Sequence, residues 1–191
     1  MAQTIRTFIA VPLDGPVRDA LGEVVSTLSA AIPDPIKWAR PDAMHITLKF
    51  LGDVPLGEIE ALADAVRRAA SAHEPFAVKS RLVDAFPSAR RPRTLVVRLS
   101  DDERRLEALA GEVEQAAKRL GYPREPRGFS PHVTLGRSKR DARLPSLEHL
   151  LGAVEVDDVP EIWADQVWLI QSELTRKGPE YTPMEKLALC G

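Results

Sequence analysis

Two copies of one tetrapeptide, 87 residues apart, constrain this chain more than any other feature. His45-Ile46-Thr47-Leu48 and His132-Val133-Thr134-Leu135 both read His-x-Thr-Leu, and they use two of the four histidines in the chain. The same offset lays Arg6-Thr7-Phe8-Ile9 on Arg93-Thr94-Leu95-Val96 and the segment 76–86 on 163–173. Three segments in register at one spacing point to an internal duplication. The duplicated unit reads as β-α-β-α-β. In its first copy, Phe8-Ile9-Ala10-Val11 is a buried strand, and Asp14-Gly15-Pro16 opens a helix that Pro33-Asp34-Pro35 closes. Met44, Ile46, Leu48 and Phe50 alternate with His45, Thr47 and Lys49, the period of a half-buried strand. Gly52-Asp53-Val54-Pro55 then turns the chain into a helix over 59–70, followed by a strand over 76–86. The second copy predicts strands at 94–99, 132–137 and 165–174 and helices at 103–120 and 146–151, with a closing strand near 181–189.

Composition removes several classes of protein. The single cysteine, Cys190, excludes both an intramolecular disulfide framework and a zinc site built on cysteines. No run of apolar residues is long enough to span a membrane, and the residues around Thr4 lead straight into a strand pattern without a signal-peptide core. The expected location is the cytoplasm. A net charge of −2 argues against a global polyanion binder. The charge is uneven, however. Residues 87–98 carry Arg90, Arg91, Arg93 and Arg98 with no acid, and residues 119–143 carry seven basic side chains against Glu125 and Asp141. Two such runs could line one phosphate-attracting surface.

The duplicated motif also carries chemistry. Residues two apart on a strand share a face, so His45 points with Thr47 and His132 with Thr134, while Ile46, Leu48, Val133 and Leu135 pack inward. A pseudo-twofold axis between the copies would set the two pairs across a cleft. Such a site offers two imidazoles that titrate near neutrality and two neutral hydroxyl donors. It fits a phosphodiester: one ring takes a proton from water, the other protonates the departing ribose oxygen, and the threonines hold non-bridging oxygens. A metal site is disfavoured, because neither motif contains an acid and the chain has no His-x-x-x-His. No Gly-x-Ser-x-Gly elbow supports a serine nucleophile. His73 and His149 read as surface residues.

His45-Ile46-Thr47-Leu48-Lys49-Phe50-Leu51-Gly52 and Phe129-Ser130-Pro131-His132-Val133-Thr134-Leu135-Gly136-Arg137 resemble the paired signatures of the two-histidine phosphoesterases. With Arg6-Thr7-Phe8-Ile9-Ala10 and Tyr181-Thr182-Pro183, the chain is similar over nearly its whole length to the RNA 2′,3′-cyclic phosphodiesterases, also called 2′-5′ RNA ligases. The repeat and the resemblance together predict an α+β fold that is bilobal, with duplicated β-α-β-α-β units and largely antiparallel sheets facing a central cleft. They imply one two-lobed domain over 1–191, with repeats at about 5–86 and 92–174. The resemblance makes His45 the proton donor, His132 the proton acceptor, and Thr47 and Thr134 phosphate ligands. Arg137 stands where members place a nucleotide-contacting arginine. Strict alternation would turn Arg137 toward the core, so that role requires the strand to end or bulge after Gly136. Phe8 and Phe129 could stack on a base but suit core packing better, and Arg127 divides evenly between RNA contact and solvated loop.

The implied activity is metal-independent and cofactor-free opening of RNA 2′,3′-cyclic phosphate ends to 2′-phosphomonoesters, with 2′-5′ ligation as its reverse. The implied partner is RNA with such ends, tRNA fragments included, and neither a membrane nor an obligate protein partner is implied. Two rivals remain open at this point: a non-catalytic module that binds RNA ends, and a hydrolase of a small cyclic phosphate such as an ADP-ribose derivative. The basic residues Arg124, Arg127, Lys139 and Arg140 around the second motif place the RNA body on that side.

Overall fold

Apolar residues recur at period two in the strands and at helical spacing between them. In the computed structural model, which describes residues 3–32, 35–139, 142, 144–175 and 178–191, they build one antiparallel sheet with helices on one face. The first half of the chain runs β1 (Thr4–Pro12), α1 (Gly15–Ala31), β2 (Ile36–Trp38), β3 (His45–Pro55), α2 (Ile59–Ala70) and β4 (Phe76–Phe86). The second runs β5 (Thr94–Ser100), α3 (Arg105–Arg119), β6 (His132–Ser138), α4 (Glu148–Gly152), β7 (Ile162–Ala164), β8 (Gln166–Thr175) and β9 (Gly178–Ala188).

Local chemistry explains the boundaries. Helix α1 starts where the Asp14 carboxylate accepts from the Val17 N–H at 2.9 Å, and it buries Val17, Leu21, Val24 and Leu28. Its expected stop at Pro33 and Asp34 falls outside the described residues, as do Arg140, Asp141 and Arg143 of the second basic run. Helix α3 begins two residues later than expected. The Asp101 carboxylate accepts from the N–H groups of Leu106 and Glu107, and Arg104 sits just ahead of them in the left-handed region at φ 55°. Strand β3 runs on through the expected turn at 52–55. A bulge at Leu51 and the positive φ of Gly52 (76°) bend it without ending its pairing with β1. The three-residue strands β2 and β7 were too short to leave a periodic signal.

The sheet order is β7-β4-β5-β6-β3-β1-β8-β9, every pair is antiparallel, and β2 adds along β6. Within the sheet, β3 and β6 pair through a single described residue pair, Ile46 opposite Val133, which are equivalent positions of the repeat. The third strand of each repeat crosses over: β4 pairs with β5 of the second copy, and β8 pairs with β1 of the first. Lobes and sequence halves therefore do not coincide. Ile9, Ile46, Leu48, Val97, Val133 and Leu135 join Leu21, Leu62 and Leu109 of the helices in the main core. Ala65 and Ala69 of α2 meet Ala116 of α3, where short side chains let the helices approach. On the opposite face, Phe8, Ala10 and Ile170 form a small second cluster edged by Trp168 and Tyr181. Among the described residues no helix is long and apolar enough to cross a membrane.

Candidate active site

Each His-x-Thr-Leu motif opens a strand, and each contains a bulge at the same place. Ile9 faces Lys49 and Ala10 faces Thr47, which leaves Leu48 as the extra residue. Leu95 faces Gly136 and Val96 faces Thr134, which leaves Leu135. A bulge shifts the alternation by one residue. Lys49 and Gly136 thus turn inward with the leucines, and Phe50 and Arg137 return to the side of His45 and His132. The bulge that exposes Arg137 lies at Leu135, before Gly136 rather than after it.

The same shift corrects the alternation read for the first motif. Lys49 does not share a face with His45. Its side chain is fully buried, with Nζ donating to the Glu114 carboxylate at 2.7 Å and to the Pro123 carbonyl at 2.8 Å. Phe50, expected in the core, is 52% exposed and lines the cleft.

The two imidazoles are held alike by the backbone. His45 Nδ1 lies 2.9 Å from the Ala43 carbonyl, and His132 Nδ1 lies 2.7 Å from the Ser130 carbonyl. A carbonyl only accepts, so Nδ1 carries the proton in each neutral ring and Nε2 keeps its lone pair. Their walls differ. His45 stacks on Phe8 at 4.7 Å and meets Tyr181 edge-on at 5.3 Å. His132 meets the Phe86 ring edge-on at 5.0 Å.

Burial lowers the His45 pKa to about 4, helped by repulsion from His132 and Arg137 and opposed by the Ala43 carbonyl. Burial also lowers that of His132, with repulsion from Arg98 and Arg137 acting the same way and the Ser130 carbonyl opposing. Tyr181 is raised by burial, against the pull of Arg137 and Arg6. The guanidinium of Arg137 thus acts on both histidines and on Tyr181, which sets its charge inside the cleft.

The cleft holds about 410 Å³. His45, Thr47, Thr134 and Arg137 all line it, whereas His132 is not part of the lining, though it is near enough for its charge to act on His45. Arg6, Lys37 and Arg40 line it too, and among the described residues no acidic side chain does. Sequence reasoning missed these three cations, and with them Trp38 beside Lys37. Of the two basic runs, Arg137 alone among the described residues reaches the lining. Arg90 pairs with Glu148 and Arg98 with Asp84, while Arg124 and Arg127 are exposed on the loop before β6. Phe129 packs partly against the main core, and Phe8 is buried in the second cluster with its ring against His45. His73 is not a surface residue, since its side chain is largely buried, with Nε2 3.4 Å from the Glu112 carboxylate but without a hydrogen bond. Among the described residues no three His, Cys, Asp or Glu side chains gather as a ligand set.

The LigT-like phosphoesterase family model matches residues 11–96 and again residues 97–181. The chain belongs to this family. The double match follows the two copies of the repeat, one motif in each. A Methanothermobacter thermautotrophicus family member named RNA 2′,3′-cyclic phosphodiesterase is 32% identical over 97% of this chain and 99% of its own. The Thermus thermophilus protein of the same name is 32% identical over 98% of this chain and 91% of its own. Among solved structures, TT0787 of Thermus thermophilus superposes with a TM-score of 0.81 at 28% identity, covering 98% of this chain and 99% of that one. Escherichia coli LigT in its apo form shares the family fold with a TM-score of 0.76 at 23% identity, over 100% of both chains.

Proposed function

We propose that this protein hydrolyses RNA 2′,3′-cyclic phosphate ends to 2′-phosphomonoesters without a metal or cofactor. The observation that carries the reading is the pair of His-x-Thr motifs, bulged alike on neighbouring strands beside one cleft whose charged lining, among the described residues, is cationic. The names of the family members cited above support the substrate class. Water attacks phosphorus in line while the lone pair of His132 Nε2 takes its proton. The P–O3′ bond breaks and His45 delivers a proton to O3′. Thr47 and Thr134 donate to the non-bridging oxygens, and Arg137 neutralises the charge that develops there.

Protonation of His45 is the step that needs substrate. Burial alone leaves both lowered imidazoles neutral at pH 7. A bound phosphodiester anion offsets the repulsion from Arg137 and favours the imidazolium that the acid role requires. On this reading the chain is one two-lobed unit with repeats at about 5–86 and 92–174. It acts in the cytoplasm on RNA fragments, those of tRNA among them, and can run in reverse as a 2′-5′ ligase.

The test is incubation of the purified protein with a nucleoside 2′,3′-cyclic phosphate in EDTA, followed by identification of the product. A 2′-phosphate formed at an undiminished rate is expected. Binding of 2′-phosphate ends with no turnover would replace the enzyme by a binding module. A mainly 3′-phosphate product would leave the two-histidine chemistry standing and overturn the assignment of O3′ as the leaving oxygen.

A further inference from the structure

The two motifs differ most in what stands across the strand from each histidine. Pro12 lies opposite His45 in the β1–β3 register, whereas Arg98 lies opposite His132 in the β5–β6 register. Arg98 makes three contacts there. Its Nε donates to the Asp84 carboxylate at 2.9 Å, a terminal nitrogen donates to the Ser130 hydroxyl at 2.6 Å, and its guanidinium lies 4.2 Å above the Phe86 ring. Two of these partners hold His132 directly. Ser130 supplies the carbonyl that accepts from Nδ1, and Phe86 presents the ring against which the imidazole stands edge-on.

We propose that Arg98 is a positioning residue for the general base, clamping Ser130 and Phe86 so that His132 presents Nε2 to the attacking water. The inference rests on the assignment of His132 as proton acceptor. Only a planar, delocalised cation can do all of this at once: fork to a carboxylate and a hydroxyl, and lie flat on an aromatic face. The charged and titratable groups facing His132 are Arg98 from β5, Asp84 from β4 acting through Arg98, Arg137 from its own strand and His45 from β3. Both cations repel the imidazolium, and Asp84 softens the nearer one. Because Asp84 and Arg98 are each about a third exposed or less, that balance is only partly screened by water.

The experiment compares Arg98→Met, Arg98→Lys and Asp84→Asn. It reads the ring-proton NMR titration of His132 in the free protein, and kcat and KM across pH on a cyclic mononucleotide. Arg98→Met should move the His132 titration, and the acidic limb of kcat/KM with it, to higher pH. Its kcat should fall roughly 10- to 100-fold with KM nearly unchanged, as for a misplaced catalytic group. Arg98→Lys should bring the limb back toward its native position without restoring kcat. Asp84→Asn, the milder change, should move both titration and limb to lower pH. Shifts of Arg98→Met and Asp84→Asn in the same direction, or no shift in either, would overturn the proposal, as would a loss carried entirely by KM. His132→Ala with native turnover would instead sink the assignment of the base, while the NMR titrations would still report on Arg98.

Discussion

The two histidines begin from the same sequence, the same strand position, the same bulge and the same kind of backbone carbonyl, yet they end in different surroundings. His45 lies in an aromatic wall of Phe8 and Tyr181, while His132 lies beside an arginine clamped to Asp84 and Ser130. Past each bulge the divergence continues. Lys49 and Gly136 are equivalent, as are Phe50 and Arg137. The first copy buries a cation and shows the cleft a ring; the second buries a bare backbone and shows the cleft a cation. Duplication has kept the histidine and threonine of each motif and let the groups around them specialise.

The largest expected effect tests whether the two motifs act as one. His45→Ala and His132→Ala should each slow turnover roughly 10²–10⁴-fold, and the double variant should be little slower than the slower single. Multiplying effects in a steady-state assay would break the picture of one coupled site.

Burial separates the histidines next. The His45 pKa is about 4 in the folded chain against an ordinary histidine value of 6.5, so the unfolded state binds the extra proton first. The stabilisation this represents is complete above pH 6.5 and is lost as pH falls toward 4, to a total of about 3 kcal/mol. Denaturant unfolding at several pH values should show a shallower loss in His45→Gln than in the native chain. Equal slopes would mean that the aromatic wall does not exclude the charged ring.

The inward positions after the bulges should differ in kind. Lys49→Met strands the Glu114 carboxylate and the Pro123 carbonyl, and should cost about 3 kcal/mol. Gly136→Ala places a methyl 2.9 Å from Ile36 Cγ2 and 3.0 Å from Trp38 Cε3, and should cost about 1–3 kcal/mol through overpacking. Combining Lys49→Met with Glu114→Met should recover part of the first loss, because no unpaired carboxylate then remains. A double variant less stable than Lys49→Met would show that the pair is not the source of the cost.

The smallest effect concerns the cationic rim. On an oligonucleotide, log kcat/KM should fall with log salt by about 0.7 for each phosphate held, while a cyclic mononucleotide responds little. Lys37→Ala or Arg40→Ala should each remove about one such increment. Arg124→Ala and Arg127→Ala should leave the slope alone, and a slope that followed these two instead would return the RNA to the loop before β6.

Much of this was legible in the sequence because it depends on short-range pattern. Period-two alternation placed β3 and β6, helical spacing and the Asp14 cap placed α1, and the 87-residue offset paired the motifs. Alternation failed at Leu48 and Leu135, since a bulge depends on the partner strand's register and leaves no local composition signal. One signal was available and unused: the same offset that pairs the histidines sets Phe50 on Arg137, so an outward arginine implied an outward phenylalanine. Lys37 and Arg40 were hidden differently. Lys37 lies within a three-residue strand and Arg40 just beyond it, and the pairing of that strand to β6 is what carries them to the cleft. Arg98 read as part of a charge run because Asp84 and Ser130 meet it only once β4, β5 and the loop before β6 are assembled.

The exchange of third strands also sets the order in which a ribosome can complete the surroundings of the two histidines. Everything that holds His132, from Asp84 and Phe86 through Arg98 to Ser130, is synthesised within one stretch ending at that histidine, and its central strands β4, β5 and β6 are complete by Ser138. His45 emerges far earlier but waits far longer. The edge of β1 stays open until β8 is made, and the ring of Tyr181 arrives only with β9. An apolar strand edge left unpaired through most of translation is a site for wrong pairing. The older-made histidine is thus the last to be finished, and a nascent chain arrested before β8 would carry His132 in finished surroundings opposite a His45 still without its wall.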